Sequence, residues 1–245
     1  MKKIVGVLGG MGPMSTIFFN QLMMTEQSQN GSVIKEQDFL DVITYNMASI
    51  PDRTAYILDK YAQNPIKSLI HAAKALEAAG TDFIAMPCMT AHYYYNEIAA
   101  AVKIPILHAI EETAKTVVAR DIIKVGLMAT DGTLEAKLFQ QALKQYGVDT
   151  LTLSSDLQTT LMQTIYQFKN GEDINWDTFF HMENSLIQQD IGGVIYGCTE
   201  LGMIAEIALQ KLENIQNMFI EVRQRAVIDS LKILAKATCE YASKD

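Results

Sequence analysis

The chain has 245 residues, 49% hydrophobic and 20% charged, with a formal charge of −8 and a pI near 5.0, the composition of a soluble globular protein of one large or two modest domains. No basic block stands ready to neutralise phosphates, and no run approaches the ~18 to 20 apolar residues of a membrane span, so nucleic-acid and membrane partners are excluded. Three widely spaced cysteines argue against a disulfide framework, and Gly9, Gly10, Gly12 and Pro13 interrupt the apolar start too early for a signal peptide; both point to the cytoplasm.

In chain order, an apolar strand at Ile4 to Leu8 runs into Gly9-Gly10-Met11-Gly12-Pro13 and a helix from about Met14 to Thr25. A strand from Phe39 to Tyr45 and a loop through Ile50-Pro51-Asp52-Arg53 follow, then helical patterns that stop at Gly80. Strand Phe83 to Met86 leads to Cys88 and a helix, then a short strand Ile104 to Leu107 and a helix through Ala119. The second half repeats the theme: strand Lys124 to Met128, helix Leu134 to Tyr146, strand Asp149 to Leu153, and helices through Phe168 and Gln189. Strand Gly193 to Tyr196 then carries Cys198 just past its end, and the remainder reads as helix.

This alternation predicts an α/β fold with mainly parallel sheets flanked by helices. The halves also match in detail. Ile4-Val5-Gly6-Val7-Leu8 pairs with Lys124-Val125-Gly126-Leu127-Met128, and Phe83 to Thr90 with Val194 to Thr199. Each half thus places one cysteine beyond the carboxyl end of a strand, where open α/β sheets bind ligands. A helix start next to Cys88 or Cys198 would favour a thiolate or a bound carboxylate. Cys239, inside a terminal helical pattern, reads as packing.

Other motifs carry less. Cys88-x3-His92 offers two metal ligands and nothing nearby completes a set of four, so no metal is expected. Gly10-x-Gly12 lacks the third glycine of a dinucleotide loop and has Pro13 where a phosphate-facing N–H belongs, so no nicotinamide or flavin cofactor is expected. Arg53 suits a carboxylate through its planar fork but reads equally as a loop residue paired with Asp52 or Asp59. Lys169, by itself, reads as a cation at a helix C-terminus.

Taken together, Leu8-Gly9-Gly10-Met11-Gly12-Pro13, Pro51-Asp52-Arg53-Thr54, Pro87-Cys88-x-Thr90-Ala91-His92, Ile104-Pro105-Ile106-Leu107-His108 and Gly197-Cys198-Thr199-Glu200 resemble the aspartate/glutamate racemase superfamily, most closely its aspartate racemase branch. The resemblance implies two pseudo-symmetric lobes, residues 1–112 with about 220–245 and residues 113–219, with the active site in the cleft between them. It implies a homodimer, and cofactor-independent racemisation of a small acidic amino acid, aspartate first, by Cys88 and Cys198. Arg53 and Lys169 would hold the distal carboxylate; Thr90, Thr199 and the Met11 loop would hold the α-carboxylate and amine. Glu200, where glutamate racemases usually carry histidine, points to the aspartate-like branch. Two positions depart from the pattern. Met89 replaces an asparagine and cannot donate to a carboxylate, and Phe219-Ile220-Glu221-Val222-Arg223-Gln224 stands where an Asp-Thr pair and a histidine are usual.

Two thiols on opposite walls suit racemisation, since a proton must leave one face of a stereocentre and arrive at the other. A thiol near its ordinary pKa of ~8.5, lowered by a helix end, supplies the base, and its partner supplies the acid. Two alternatives share the residues: a related isomerase or decarboxylase using one cysteine, and a binding protein that has lost turnover.

Overall fold

The computed structural model describes residues 2–212 and 227–243. Among them, strands β1 (Val5–Gly9), β2 (Val42–Asn46) and β3 (Phe83–Ala85) form a parallel sheet in the order β2-β1-β3. Strands β4 (Lys124–Ala129), β5 (Asp149–Thr152), β6 (Val194–Gly197) and β7 (Val227–Asp229) form a second parallel sheet in the order β5-β4-β6-β7. Both sheets place their first strand between the next two, which is the pseudo-symmetry expected from the repeated pattern.

Strand alternation explains how the two lobes are joined. Successive side chains point to opposite faces of a sheet. Val5, Val7, Phe83 and Ala85 of the first sheet, with Val125, Leu127, Ala129 and Ile195 of the second, all enter one central apolar cluster. The alternate residues Leu8, Ile84 and Met86 enter an outer cluster on the first lobe, and Met128, Val194 and Tyr196 one on the second. The central cluster is completed from helix α5 (Ala109–Val118) by Ala109, Ala114 and Val117, and from the terminal helix α11 (Ser230–Ala242) by Leu231, Leu234, Ala235 and Cys239. The lobes therefore share a core, and apolar packing rather than a linker sets their relative position.

The remaining helices follow each strand. Those that matter for the site are α1 (Pro13–Gln29), α2 (Arg53–Leu58), α6 (Asp131–Glu135), α7 (Leu138–Lys144), α8 (Ser155–Lys169) and α10 (Thr199–Leu212); between them lie α3 (Ile66–Ala78), α4 (Tyr95–Ala99) and α9 (Trp176–Ile187). Gly80, at φ +88°, ends α3 as expected. No helix among the described residues is long and apolar enough to cross a membrane.

Several elements differ from the sequence reading. The chain after Cys198 is not wholly helical, because Val227–Asp229 pairs with β6; three residues are too few to show a strand period. Ile104 to Leu107 makes a single bridge, Ile84 to Ile106, because Pro105 has no N–H to continue a ladder. The helix expected from Leu134 to Tyr146 is two helices, α6 and α7, broken at Lys137 with φ +53°. Within α6, Gly132 packs so close to Thr54 of α2 that a Cβ would lie 2.8 Å from the Thr54 Cα. Residues 219–224 lie outside the described residues. An acid–hydroxyl pair does stand at the start of the terminal helix, at Asp229-Ser230: Asp229 Oδ1 accepts from the backbone N–H of Leu231 at 2.8 Å, capping α11.

Candidate active site

The carboxyl ends of β1, β3, β4 and β6 open onto one cavity, lined by Met11, Arg53, Cys88, Met89, Thr90, Lys169, Cys198, Thr199 and Glu200. Every residue singled out as a site candidate from sequence is in its wall. Six more complete it: Asp52, Thr54, Thr130, Met162, Ile165 and Tyr166. Thr130 follows β4 as Gly10 follows β1, so the internal repeat already pointed to it. Met162, Ile165 and Tyr166 share a face of α8 with Lys169, and only their spacing of three and four residues hinted at them.

The free space at the centre is about 10 Å³, what one water molecule requires. An amino acid enters only if the walls part. Met162 and Tyr166 separate the cavity from an open vestibule of about 430 Å³. Across its rim Tyr166 Oη donates to Asp52 Oδ2 at 3.3 Å, tying α8 to the N-cap of α2.

Two environments surround the two sulfurs. Cys198 is the residue before α10, whose fourteen residues begin at Thr199, so a full helix N-terminus faces it. Its Sγ donates to Glu200 Oε2 at 3.0 Å, and Thr199 Oγ1 donates to the same oxygen at 3.0 Å. Lys169 Nζ lies 3.9 Å from the other carboxylate oxygen. Burial, then the Glu200 charge, push the Cys198 thiol well above its ordinary pKa; Lys169 and the Glu200 backbone N–H only partly counter this. The expectation that a helix end lowers this thiol is thus reversed, because desolvation and a carboxylate in contact outweigh a partial dipole charge.

Cys88 is different. A five-residue 3-10 turn, Thr90–Tyr94, follows it, and the expected helix, α4, begins only at Tyr95. Its charged neighbour is Arg53: burial opposes the guanidinium charge, but Cys88, Asp52 and Glu200 more than offset that, and its pKa rises. Arg53 Nη1 donates to Pro51 O at 3.1 Å and Nη2 to Met11 O at 3.3 Å, while its buried Nε has no hydrogen-bond partner. Lys169 is raised too: burial opposes its charge, and Glu200, Cys198 and Cys88 together outweigh it.

The hydroxyls form their own group. Thr90 Oγ1 lies 2.9 Å from Thr130 Oγ1 and 3.0 Å from Thr133 Oγ1, and Thr130 is the N-cap of α6. Met89 lines the cavity yet is 1% exposed and packs in the central cluster. Its thioether thus gives the wall an apolar side chain anchored in the core.

His92 is occupied by structure. Its Nε2 accepts from the Ala109 N–H at 3.0 Å, which leaves the proton on Nδ1 to donate to Cys88 O at 2.9 Å. Burial foremost, with His108 close by, lowers its pKa from 6.5 to about 3. Between those values the unfolded chain binds a proton that the folded chain does not, so stability is lost as pH falls from about 6.5 toward 3. This one group predicts a loss of about 2 kcal/mol between pH 7 and pH 5. His92→Gln, which cannot titrate, is expected to remove that share of the slope when urea midpoints are compared at the two pH values. Equal slopes in the two proteins would place the acid sensitivity elsewhere.

Comparison with known proteins adds the following. Residues 8–238 match the family model described as Asp/Glu/Hydantoin racemase. The chain is similar to a broad specificity amino-acid racemase of Bacillus subtilis (strain 168), 29% identical over 246 residues that cover 96% of each chain. Among solved structures it resembles an aspartate racemase of Picrophilus torridus, at 27% identity and a TM-score of 0.82, covering 99% of this chain and 95% of that one. It also resembles an aspartate racemase homologue of Pyrococcus horikoshii OT3, at 25% identity and a TM-score of 0.74, covering 100% of both chains.

Proposed function

The chain belongs to the Asp/Glu/hydantoin racemase family, and from that premise we propose that it interconverts the enantiomers of an amino acid by passing protons between substrate and the two thiols Cys88 and Cys198, without a cofactor. The observation that carries this reading is the convergence of both cysteines on one closed cavity with two cations, Arg53 and Lys169. Acidic amino acids come first as substrates, aspartate before glutamate. The two cations offer charge for a second carboxylate, and a small cavity favours the shorter side chain. One solved structure similar to this chain is named an aspartate racemase and another an aspartate racemase homologue, and the Bacillus subtilis relative is named for broad specificity, so the panel tested has to extend beyond acids. We take the working form to be a cytoplasmic homodimer, on the family resemblance and the three unpaired thiols.

In the reaction one sulfur, as thiolate, takes the α-hydrogen as a proton. The Cα–H electron pair passes into the carboxylate-stabilised carbanion, and the opposite thiol returns a proton to the other face. The substrate leaves inverted and the two sulfurs have exchanged states. Thr90 and Thr130, whose hydroxyls meet in the cavity wall, supply donors for the developing charge, in a cavity where little water is left to compete.

Incubation with single enantiomers in deuterated water tests this. Aspartate or another panel amino acid should gain deuterium at Cα while its antipode appears. A folded protein that does neither across the whole panel would sink the reading.

A further inference from the structure

Resting on the racemase reading above, we propose that Glu200 is a positioning residue that keeps Cys198 as the protonated thiol in the free enzyme, so that Cys88 starts as the base and Cys198 as the acid. The two walls are pseudo-symmetric in backbone and unequal in charge, and the charge decides which sulfur moves first.

Geometry carries the argument. A carboxylate can only accept hydrogen bonds, so the 3.0 Å contact between Cys198 Sγ and Glu200 Oε2 has a proton in it. Ionising Cys198 would leave two negative charges in contact. The carboxylate is not free to swing away. Thr199 Oγ1 donates to the same oxygen, Lys169 holds the other at 3.9 Å, and that other oxygen packs over Gly12, where a Cβ would lie 3.3 Å from it. Glu200 is 3% exposed, so water screens little of this.

The remaining charged groups sort as follows. Lys169, on α8, acts on both sulfurs, on Cys198 more than on Cys88, and so opposes Glu200 at Cys198, where burial and Glu200 together outweigh it. Arg53, on α2, has Cys88 as its strongest charged partner. Glu200, on α10, is the charged group in contact with Cys198. Burial acts on Cys198 in the same direction as Glu200.

A turnover that starts with Cys88 as base ends with Cys88 protonated and Cys198 ionised, the less favoured free form. The enantiomer whose α-hydrogen faces Cys198 must bind that minor form. Its apparent KM is raised by the rarity of the form. Because the two enantiomers have equal free energy, its kcat must rise by the same factor.

Thiolate absorbance near 240 nm, followed against pH, tests the protonation order without turnover. Cys88→Ala reports on Cys198 and Cys198→Ala on Cys88. Cys239 contributes only at the alkaline end, since burial raises it to about 12. The Cys198 midpoint is expected above that of an ordinary thiol, and Glu200→Gln in the Cys88→Ala background should lower it by about one pH unit, the scale of a close like charge. A Cys198 midpoint at or below that of Cys88 overturns the proposal, even where the glutamine variant does not fold. A Cys198 midpoint that Glu200→Gln leaves in place, in a variant with native circular dichroism, removes Glu200 from the role. In the active protein the same substitution should narrow the difference in KM and kcat between enantiomers. If the midpoints order as expected and no amino acid exchanges its α-hydrogen, the racemase reading fails and the electrostatic assignment stands.

Discussion

Replacing Cys88 or Cys198 with alanine is expected to reduce racemisation at least ~10³-fold in either variant, within the range that a positioned acid or base contributes. In the proposed mechanism each sulfur serves as acceptor on one face or donor on the other. Serine in place of either cysteine keeps the size but ionises far too weakly to act as base, so it should be nearly as impaired. The assay is the initial rate of antipode formation from each enantiomer, with circular dichroism to show that the variants fold. Both sulfurs are buried, at 5% and 6% exposure, and losing one small side chain from each outer cluster is a modest packing change next to the loss of chemistry. Full activity in either alanine variant would rule out proton transfer by two thiols.

Gly10→Ala is expected to be the most damaging single change to the scaffold beneath the site. Gly10 adopts φ +97°, and a Cβ there would lie 2.3 Å from both the carbonyl carbon and the oxygen of Met47. Those are backbone atoms of the segment after β2, so they cannot rotate away as a side chain would. Gly31 is the natural control, with φ +73° and nothing within 4 Å of an added Cβ. Alanine at Gly31 should cost about 1 kcal/mol, the backbone conformation alone. At Gly10 the loss should be about 3 kcal/mol or more, or on the order of 10 °C in thermal midpoint for a chain of this length. The effect reaches the cavity as well. Gly10 N–H donates to Thr16 Oγ1 at 2.9 Å, and Met11, next in the chain, offers its carbonyl to Arg53. Equal thermal shifts in the two alanine variants would show that the contact with Met47 is not what matters.

The parts legible in the sequence were those set by local pattern. Val5-Gly6-Val7-Leu8 and Lys124-Val125-Gly126-Leu127 announce strands because both faces of a parallel strand are buried. Cys88 and Cys198 stood out because each follows such a run at the same point of a repeated unit. Met11, Arg53, Lys169 and Glu200 came from the family resemblance, and the cavity wall contains them all. A local rule did not extend to properties that burial and backbone geometry decide. The helix end at Thr199 suggested an acidic thiol, and burial with Glu200 makes Cys198 a weak acid instead. The periodicity from Leu134 to Tyr146 suggested one helix, and the approach of Thr54 to Gly132 accompanies a break into two.

By itself, then, the sequence determined the α/β alternation, the repeat of the two halves and the place of a cysteine just past a strand end in each half, because these depend on residue order within ten or fifteen positions. Only the tertiary structure decided three other things. The lobes share one central core, the charges around the two sulfurs are unequal, and α8 brings Tyr166 to Asp52 across the rim. The first and third depend on side chains that meet after the chain has folded back over fifty or more residues; the second depends on how little water remains beside Cys198 and Glu200, which are only two positions apart in the chain. Coulomb interaction and desolvation follow distance in space and not position along the chain, and for that reason the pseudo-symmetric backbone could be read in advance while the asymmetry of its two sulfurs could not.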